Sequence, residues 1–280
     1  MAHQLVLPRH LMIQVTQLAT NMNIVLAIFA FIFGAIIGSF LNVVILRHGA
    51  NLKKSRSFCF SCGHILKPLE LVPVFSFLFL GGKCRHCKSK ISWQYFWVEL
   101  SFAIISVVLL FTSQDVNIYL WAFKYLTSLA FFGLLTCTFV YDLKHKIMPD
   151  GWTATAFILA LIYTTVLGMG LKSALIGAFL VGIPLLLINL ISRGRAMGMG
   201  DVKFAPVMGA LLGVNVGFLA LMLSFWIGGI VGIYLLISNK KITGKSQVPF
   251  GPFLVLSTLI VFVFNLNFDT MFIWLANILN

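Results

Sequence analysis

The chain has 280 residues, of which 60% are hydrophobic and only 10% charged. This composition excludes an ordinary soluble domain, in which about a quarter of the residues carry charge. The net charge of +13 would suit a nucleic-acid-binding protein, but the basic residues collect in loops between apolar stretches. That pattern is a membrane-topology signal, so no nucleic-acid partner is expected.

The first apolar stretch, residues 24–46, follows a polar tail of residues 1–23. A cleaved signal peptide would instead show a basic start, a short apolar core and a small-residue cleavage site. We therefore expect residues 24–46 to remain as the first transmembrane helix. Further apolar stretches, each close to the length that crosses a bilayer, lie at residues 97–112, 118–141, 152–168 and 172–191.

A longer stretch, residues 204–238, contains no charge. As one straight helix it would extend about 50 Å, well beyond the bilayer core. The stretch is therefore expected to fold back on itself, with Gly213 and Asn215 marking the turn. A last stretch begins near Phe253, and whether residues 270–280 continue it or lie at the interface is left open. The sequence thus predicts an all-α polytopic membrane protein with about eight transmembrane helices.

Basic residues set the orientation of these helices. Seventeen of the 20 Lys and Arg residues lie in four loops, residues 47–96, 141–151, 192–203 and 238–252. An eight-helix arrangement with the N-terminus outside the cytoplasm places all four loops on one side. Because cytoplasmic loops collect Lys and Arg, that side is predicted to be cytoplasmic. The same loops are expected to attract anionic membrane lipids.

The loop of residues 47–96 is long enough to form a small domain, and it carries two Cys-x-x-Cys pairs. The pairs are Cys59 with Cys62 and Cys84 with Cys87. This spacing predicts a zinc-ribbon-like domain in which each pair presents two thiolates to a tetrahedral ion. Thiol redox chemistry and unliganded thiols are the alternatives, while a reducing cytoplasm disfavours disulfides. Four protein ligands leave no open position, so the zinc is expected to be structural.

Acidic residues are scarce enough to be considered one by one: Glu70, Glu99, Asp115, Asp142, Asp150, Asp201 and Asp269. Asp115 and Asp269 fall at predicted outer helix ends and are interpreted as solvated charges. Glu70 and Glu99 lie in or beside the cysteine loop, where either can pair with a neighbouring base. The other three acids are candidates for chemistry, because an ionisable group at membrane depth is costly and usually serves a function.

Asp142 directly follows the third predicted span, and Asp201 opens the sixth. Both are predicted at the cytoplasmic face, where a helical bundle can bring them together. Two carboxyls a few ångströms apart do not both ionise easily, so one holds a proton while the other acts as a base. This is the chemistry needed to direct water onto a peptide carbonyl and to protonate the leaving nitrogen.

The sequence around Asp201 has a second interpretation. Gly198 and Gly200 permit unusual backbone angles and the close approach of an extended substrate, but Asp201 is equally interpretable as a helix-capping residue after a flexible loop. Asp150 follows Pro149 and is expected in the first turn of a helix, with a structural or substrate-orienting role. Lys203 is interpreted as a lipid-surface charge or a further supporting group.

Together these motifs resemble the bacterial prepilin peptidases, or type IV leader peptidases, of the membrane aspartic GxGD class. The resemblance covers nearly the whole chain. It rests on GAIIGSFLNVVILR at 34–47, the cysteine pairs with GGKCRHCKSKIS, YDLKHKIMPD, GMGMGDVKFAPVMGALLG and VPFGPFL at 248–254. Five motifs in the family's order are improbable by chance.

The resemblance implies a bifunctional enzyme of the bacterial inner membrane. It would cleave the basic leader of type IV prepilins or pseudopilins after a glycine at the cytoplasmic face, and then N-methylate the new first residue, usually Phe, with S-adenosylmethionine. Asp142 and Asp201 match the family's catalytic pair, and the four cysteines match its zinc-binding loop. The implied domains are a periplasmic tail (1–23), a first helix (24–46), a cytoplasmic zinc domain linked to methylation (47–96) and a transmembrane peptidase domain (97–280).

Other functions remain open at the level of sequence. The stretch KPLELVPVFSF between the cysteine pairs departs from the family pattern, so a peptidase without methylation is one alternative. A transporter would use the same acids to bind cations or relay protons. A membrane-anchored zinc scaffold would have no catalysis at all.

Overall fold

A computed structural model of the chain describes residues 9–48, 56–238 and 249–268, with side chains from residue 22 onward. The helices are α1 (Arg9–Leu46), α2 (Phe75–Phe79), α3 (Trp93–Thr112), α4 (Ile118–His145), α5 (Asp150–Val166), α6 (Leu171–Ser192), α7 (Met199–Ser238) and α8 (Gly251–Phe264), with a short 3-10 helix at Pro68–Leu71. Within these ranges five helices, α1, α3, α4, α6 and α7, are long and apolar enough to cross a membrane. The protein is thus an all-α, multi-pass membrane protein, as the sequence predicted.

Helix boundaries follow local sequence signals. The side chain of Asn117 caps α4 by accepting hydrogen bonds from the backbone N–H groups of Tyr119 and Leu120. Pro149 precedes α5 and Asp150 is its first residue, which confirms the predicted helix start. Lys146 ends α4, and Arg193 ends α6, in the left-handed conformation.

The long uncharged stretch is broken at Gly213, whose φ of 76° and ψ of −174° are not helical. A Cβ atom built on Gly217 would lie only 3.4 Å from the Cα of Gly209, whereas a straight helix would separate these residues by about 12 Å. Helix α7 therefore consists of two arms, residues 199–212 and 214–238, that fold back on each other. The predicted reversal is confirmed at Gly213, while Asn215 lies inside the second arm.

Some predictions fall outside the described residues, namely those on Asp269, on residues 270–280 and on the basic residues 53, 54, 240, 241 and 245. Helix α1 begins at Arg9, within the segment predicted as an N-terminal tail. The placement of that segment outside the cytoplasm stays a prediction. With α7 counted as two arms, the described ranges contain eight helical segments of ten residues or more.

The chain divides into two compact units, and the first contains residues 1–42 and 52–111. In this unit α1 packs against α3 through small residues: a Cβ atom on Gly34 would overlap Ser106, and one on Gly38 would lie 2.9 Å from the Cα of Glu99. The hydroxyl of Ser106 donates a 2.7 Å hydrogen bond to the carbonyl oxygen of Ala30. Close backbone approach and interhelical hydrogen bonds are the usual means of joining helices in a membrane.

The second unit contains residues 43–51 and 112–280. Backbone contact joins α6 to α7 in this unit, because Gly177 and Gly209 face each other so closely that a Cβ atom on either would overlap the backbone of the other. Farther along the same seam a Cβ atom on Gly182 would lie 3.0 Å from the ring of Pro206. Lipid gives no hydrophobic drive for helices to associate, so this interhelical packing is what holds the two helices together.

The glycine seam yields a stability prediction. Gly209→Ala places a methyl group against the α6 backbone and is expected to destabilise the fold by about 1–3 kcal/mol through overpacking. The matched control is Gly229→Ala in the same helix, where an added Cβ meets nothing within 4 Å. Thermal unfolding in detergent should show a lower midpoint temperature for Gly209→Ala alone. Equal midpoint temperatures for the two variants would contradict the claim that close packing at Gly209 stabilises the fold.

Candidate active site and metal centre

Asp142 lies in the last turn of α4 and is 5% exposed. Its carboxylate accepts a hydrogen bond from the backbone N–H of Gly251, the first residue of α8. A Cβ atom on Gly251 would lie 2.5 Å from Asp142 Oδ2 and would overlap the side chain of Met148. The start of α8 is thus in direct contact with this carboxylate, and the contact requires a glycine.

Asp201 lies in the first turn of α7 and is partly buried. Its carboxylate accepts a hydrogen bond from the backbone N–H of Gly198. A carboxylate in the first turn of a helix is stabilised by the unpaired N–H groups there. Each of the two acids therefore has one backbone donor of its own.

The fold brings the two acids to a shared neighbour, Met148, which packs against Gly251 beside the Asp142 carboxylate and against Gly200 directly before Asp201. They come from the end of one helix and the start of another, 59 residues apart in sequence. Within the second unit, the loop before α5, the loop before α7 and the start of α8 all converge on this pair. The arrangement is an acid pair with few water contacts and with fixed backbone donors.

The two glycines before Asp201 have a different role from the one expected. Gly198 and Gly200 are not among the residues with positive φ, so the expectation of unusual backbone angles is wrong. Gly200 is helical, and a Cβ atom on it would lie 3.2 Å from the Cβ of Met148. Close packing of α7 against the Met148 loop is therefore what favours glycine at position 200.

Asp150 and Lys203 form an ion pair beside the acid pair, with 2.7 Å between Nζ of Lys203 and Oδ1 of Asp150. Lys203 was expected chiefly to be a charge at the lipid surface. In the structure it pairs with a protein carboxylate. The side chains are 48% and 73% exposed, so the pair contributes at most about 1 kcal/mol. It links the start of α5 to the start of α7.

Two residues that matter for this geometry were missed at the level of sequence, namely Gly251 and Asn189. Asn189, buried near the end of α6, donates a 2.7 Å hydrogen bond from its side-chain amide to the carbonyl oxygen of Met197. The backbone carbonyl of Asn189 accepts a hydrogen bond from the backbone N–H of Gly194. Asn189 therefore fixes the loop that leads into Asp201. A polar amide within the otherwise apolar stretch of residues 172–191 was the available signal.

Three other acids have partners that differ from those expected. Asp115 forms a 2.7 Å ion pair with Lys124, and hydrogen bonding to that ammonium lowers the pKa of Asp115. Glu70 accepts the backbone N–H of Lys67, and Glu99 accepts that of Val74, both at 2.7 Å. Among the described residues, the recorded partners of both glutamates are thus backbone or hydroxyl donors and not bases.

In the first unit the two cysteine pairs form matching turns. Antiparallel bridges join Phe58 to Ile65 and Lys83 to Lys90. The backbone N–H groups of Cys59 and Cys84 donate to the carbonyls of His64 and Ser89, respectively. The residue after each second cysteine, Gly63 or Lys88, has a φ of 71° or 60°. Each turn therefore directs its two sulfurs to the same side.

All four sulfurs lie within 4.8 Å of one another. Sulfurs at the corners of a tetrahedron around an ion bonded at about 2.3 Å are roughly 3.8 Å apart, and Cys59 and Cys87 are separated by 3.8 Å. The hydroxyl of Ser89 lies 3.1 Å from the Cys87 sulfur. The four cysteines are therefore positioned to bind one metal ion, with Ser89 beside the ligands.

The thiols of this cluster differ in pKa. Backbone N–H groups of Cys62 and Ser61 lower the pKa of Cys59 to about 6. The N–H of His64 lowers the pKa of Cys62, but desolvation and the neighbouring thiols outweigh it and raise that pKa to about 11. Four thiolates this close together repel one another unless a cation lies between them, which suits the donor set to a metal ion.

Comparison with known proteins gives the class to which this fold and site belong. The bacterial peptidase A24 N-terminal domain matches residues 32–113, and the type IV leader peptidase family matches residues 129–233. No solved structure matches the chain significantly.

Curated relatives match over most of the chain. A prepilin leader peptidase/N-methyltransferase of Vibrio cholerae is 34% identical, over 82% of this chain and 94% of its own length. Proteins of the same name from Aeromonas salmonicida and Pseudomonas aeruginosa are 31% and 30% identical, over 81% of this chain and 87% and 86% of their lengths. This chain belongs to the type IV leader peptidase family.

Proposed function

We propose that this protein cleaves the leader peptides of type IV prepilins or pseudopilins, after a glycine, with Asp142 and Asp201 as the catalytic pair. The observation that carries the proposal is the meeting of these two buried or half-buried carboxylates, each held by a backbone N–H group. Family membership and the names of the relatives support the substrate class.

In the proposed reaction one aspartate is protonated and the other is ionised. The ionised carboxylate takes a proton from water as the water oxygen attacks the scissile carbonyl carbon, and the protonated carboxyl gives its proton to the leaving nitrogen. The carbon–nitrogen bond then breaks, and the proton held by the base restores the pair. The backbone donors of Gly251 and Gly198 orient the carboxylates throughout the cycle.

The site suits a membrane-embedded substrate with a soluble leader. A prepilin's apolar helix lies in the bilayer, so its cleavage site is at the membrane surface. Asp142 lies at the end of the membrane-length helix α4, and Asp201 lies at the start of the first arm of α7. Such a bond becomes accessible at helix ends of this kind. The positive-inside distribution of charge supports a cytoplasmic location for this end, and the names of the relatives support a bacterial inner-membrane protein.

We assign the second activity, N-methylation of the new first residue from S-adenosylmethionine, to the unit that carries the cysteines. The names of the relatives support the activity, and the resemblance of the cysteine loop to the family's zinc-binding loop supports its location. The thiolates of Cys59, Cys62, Cys84 and Cys87 would hold Zn²⁺ in a closed tetrahedral site, where the ion stabilises the fold of the loop and has no position for substrate. Peptidase activity without methylation is the alternative.

Substitution of the acid pair tests the peptidase assignment. Asp142→Asn and Asp201→Asn each remove one partner in proton transfer, and each is expected to slow cleavage of a prepilin by about 10²- to 10⁴-fold. The assay is the gel shift of a purified prepilin in detergent. Asp115→Asn is the control, because it makes the same chemical change at a distant ion pair. Full activity in either dyad variant would refute the assignment.

The glycine at the start of α8 provides an independent test of the geometry. Gly251→Ala pushes a methyl group onto the Asp142 carboxylate and Met148, and a misplacement of about 1 Å in an active site reduces kcat by roughly 10²-fold. Gly151→Ala is the control, since an added Cβ there meets nothing within 4 Å. Unchanged kcat in Gly251→Ala would show that the contact with Asp142 has no part in catalysis.

Loss of a metal ligand should separate the two activities. Cys84→Ala is expected to reduce bound zinc, measured by elemental analysis, and to abolish the methyl group on the product, while prepilin cleavage continues. Cys137→Ala, at the buried cysteine outside the cluster, should leave zinc, methylation and cleavage intact. Mass spectrometry of the mature pilin's first residue reports the methyl group. Its absence with the unaltered enzyme would favour the peptidase-only alternative.

A further inference from the structure

The stretch between the two cysteine pairs exposes many apolar side chains. Residues 68–80, here called the interfacial segment, contain a single charge, Glu70, whose carboxylate is occupied by the N–H of Lys67. Leu69 is 77% exposed and Phe79 is 86% exposed. Four more apolar side chains of the segment are exposed as well: Leu71, Val72, Phe75 and Leu78. A water-facing loop rarely presents a patch of this kind.

The segment lies beside the first turns of a membrane-crossing helix. The backbone N–H of Val74 donates a 2.7 Å hydrogen bond to the carboxylate of Glu99 in α3. Glu99 is six residues along α3 from Trp93, which corresponds to about 9 Å of helix. Since α3 has 20 residues and 20 helical residues just span a bilayer core of about 30 Å, the level of Glu99 is below the membrane surface.

Aromatic contacts hold the segment at this level. The ring of Phe77, which is buried, lies 5.0 Å from the ring of Trp93 and 5.5 Å from that of Phe96. The buried face of α2 is thus turned to α3. The opposite face carries Phe75, Leu78 and Phe79, for which the described part of the first unit provides no cover.

Several backbone groups of the segment are paired with protein groups, as is needed where water is scarce. The N–H groups of Ser76, Leu78 and Leu80 donate to the carbonyls of Val72, Val74 and Ser76, respectively. The N–H group of Gly82 donates to the carbonyl of Phe77. Val74 adopts a φ of 64°, an uncommon conformation for a β-branched residue, and in this conformation its N–H is directed to Glu99.

The residues that flank the segment match a lipid interface. Exposed basic residues lie on either side of it, Lys67 before it and Lys83 after it. Trp93 and Trp97 at the start of α3 are 61% and 59% exposed. Tryptophan rings are enriched at the headgroup level, and Lys and Arg bind anionic headgroups.

We propose that the interfacial segment is inserted into the bilayer, where its exposed apolar side chains contact the acyl chains of lipids. The charges, the exposed apolar face and the hydrogen bond to Glu99 all point to lipid as the partner, because the patch is continuous with the lipid-facing start of α3. The cysteine domain is therefore partly embedded in the membrane and not wholly cytoplasmic. This inference depends only on α3 crossing the membrane, so it stands or falls separately from the proposed enzymatic function.

Photo-crosslinking in vesicles of phosphatidylethanolamine and phosphatidylglycerol tests the proposal. p-Benzoylphenylalanine is placed at Phe79 and, in a second variant, at Leu69; both side chains are exposed, so the core is not disturbed. Phe40, exposed on the membrane helix α1, is the positive control. Arg85, exposed in the second cysteine turn, is the negative control. Metal content confirms that each variant is folded, and intact-protein mass spectrometry detects lipid adducts.

Lipid adducts at positions 69 and 79 should approach the yield at position 40 and exceed the yield at position 85. Yields at 69 and 79 no higher than at 85 would overturn the proposal. Crosslinks that double the protein mass, in place of lipid adducts, would also overturn it and would assign the patch to a second copy of the chain.

Discussion

The backbone contact between Gly177 of α6 and Gly209 of α7 is the constraint on which the second unit depends. Helices in lipid gain little from burying apolar surface against each other, so their stability comes from close packing and polar contacts. At this seam the missing side chains bring two backbones into direct contact. The first arm of α7, which carries Asp201, therefore has one position relative to α6.

The need of buried carboxylates for hydrogen-bond donors then determines how Asp142 and Asp201 are held. Asp142 is buried and Asp201 is partly buried, so each carboxylate needs a protein donor. Backbone N–H groups of Gly251 and Gly198 fulfil this requirement. Asn189 fixes the loop that leads into Asp201. Backbone donors are rigid, and this rigidity keeps two repelling groups at a fixed separation.

The cysteine loop that precedes α3 is under a different constraint, because it has few residues with which to build an apolar core. In its place, two matching turns bring together four thiols that are positioned to bind a metal ion. The interfacial segment exposes most of its apolar side chains and is attached to α3 by the hydrogen bond from Val74 to Glu99 and by the ring contact of Phe77 with Trp93. A small domain of this kind gains stability from an ion and from neighbouring helices.

The amino-acid sequence determined the membrane class, the helical segments, the reversal at Gly213 and the cysteine cluster, since each depends on local composition or on short spacing. It also singled out Asp142 and Asp201 as acids at helix ends. Only the tertiary structure decided that these two carboxylates meet, that Gly251 contacts one of them and that Lys203 pairs with Asp150. Those contacts join residues far apart in the chain, and they depend on how closely helices pack. How closely two helices pack depends on the sizes of the side chains that meet between them, and the sequence alone does not say which side chains meet.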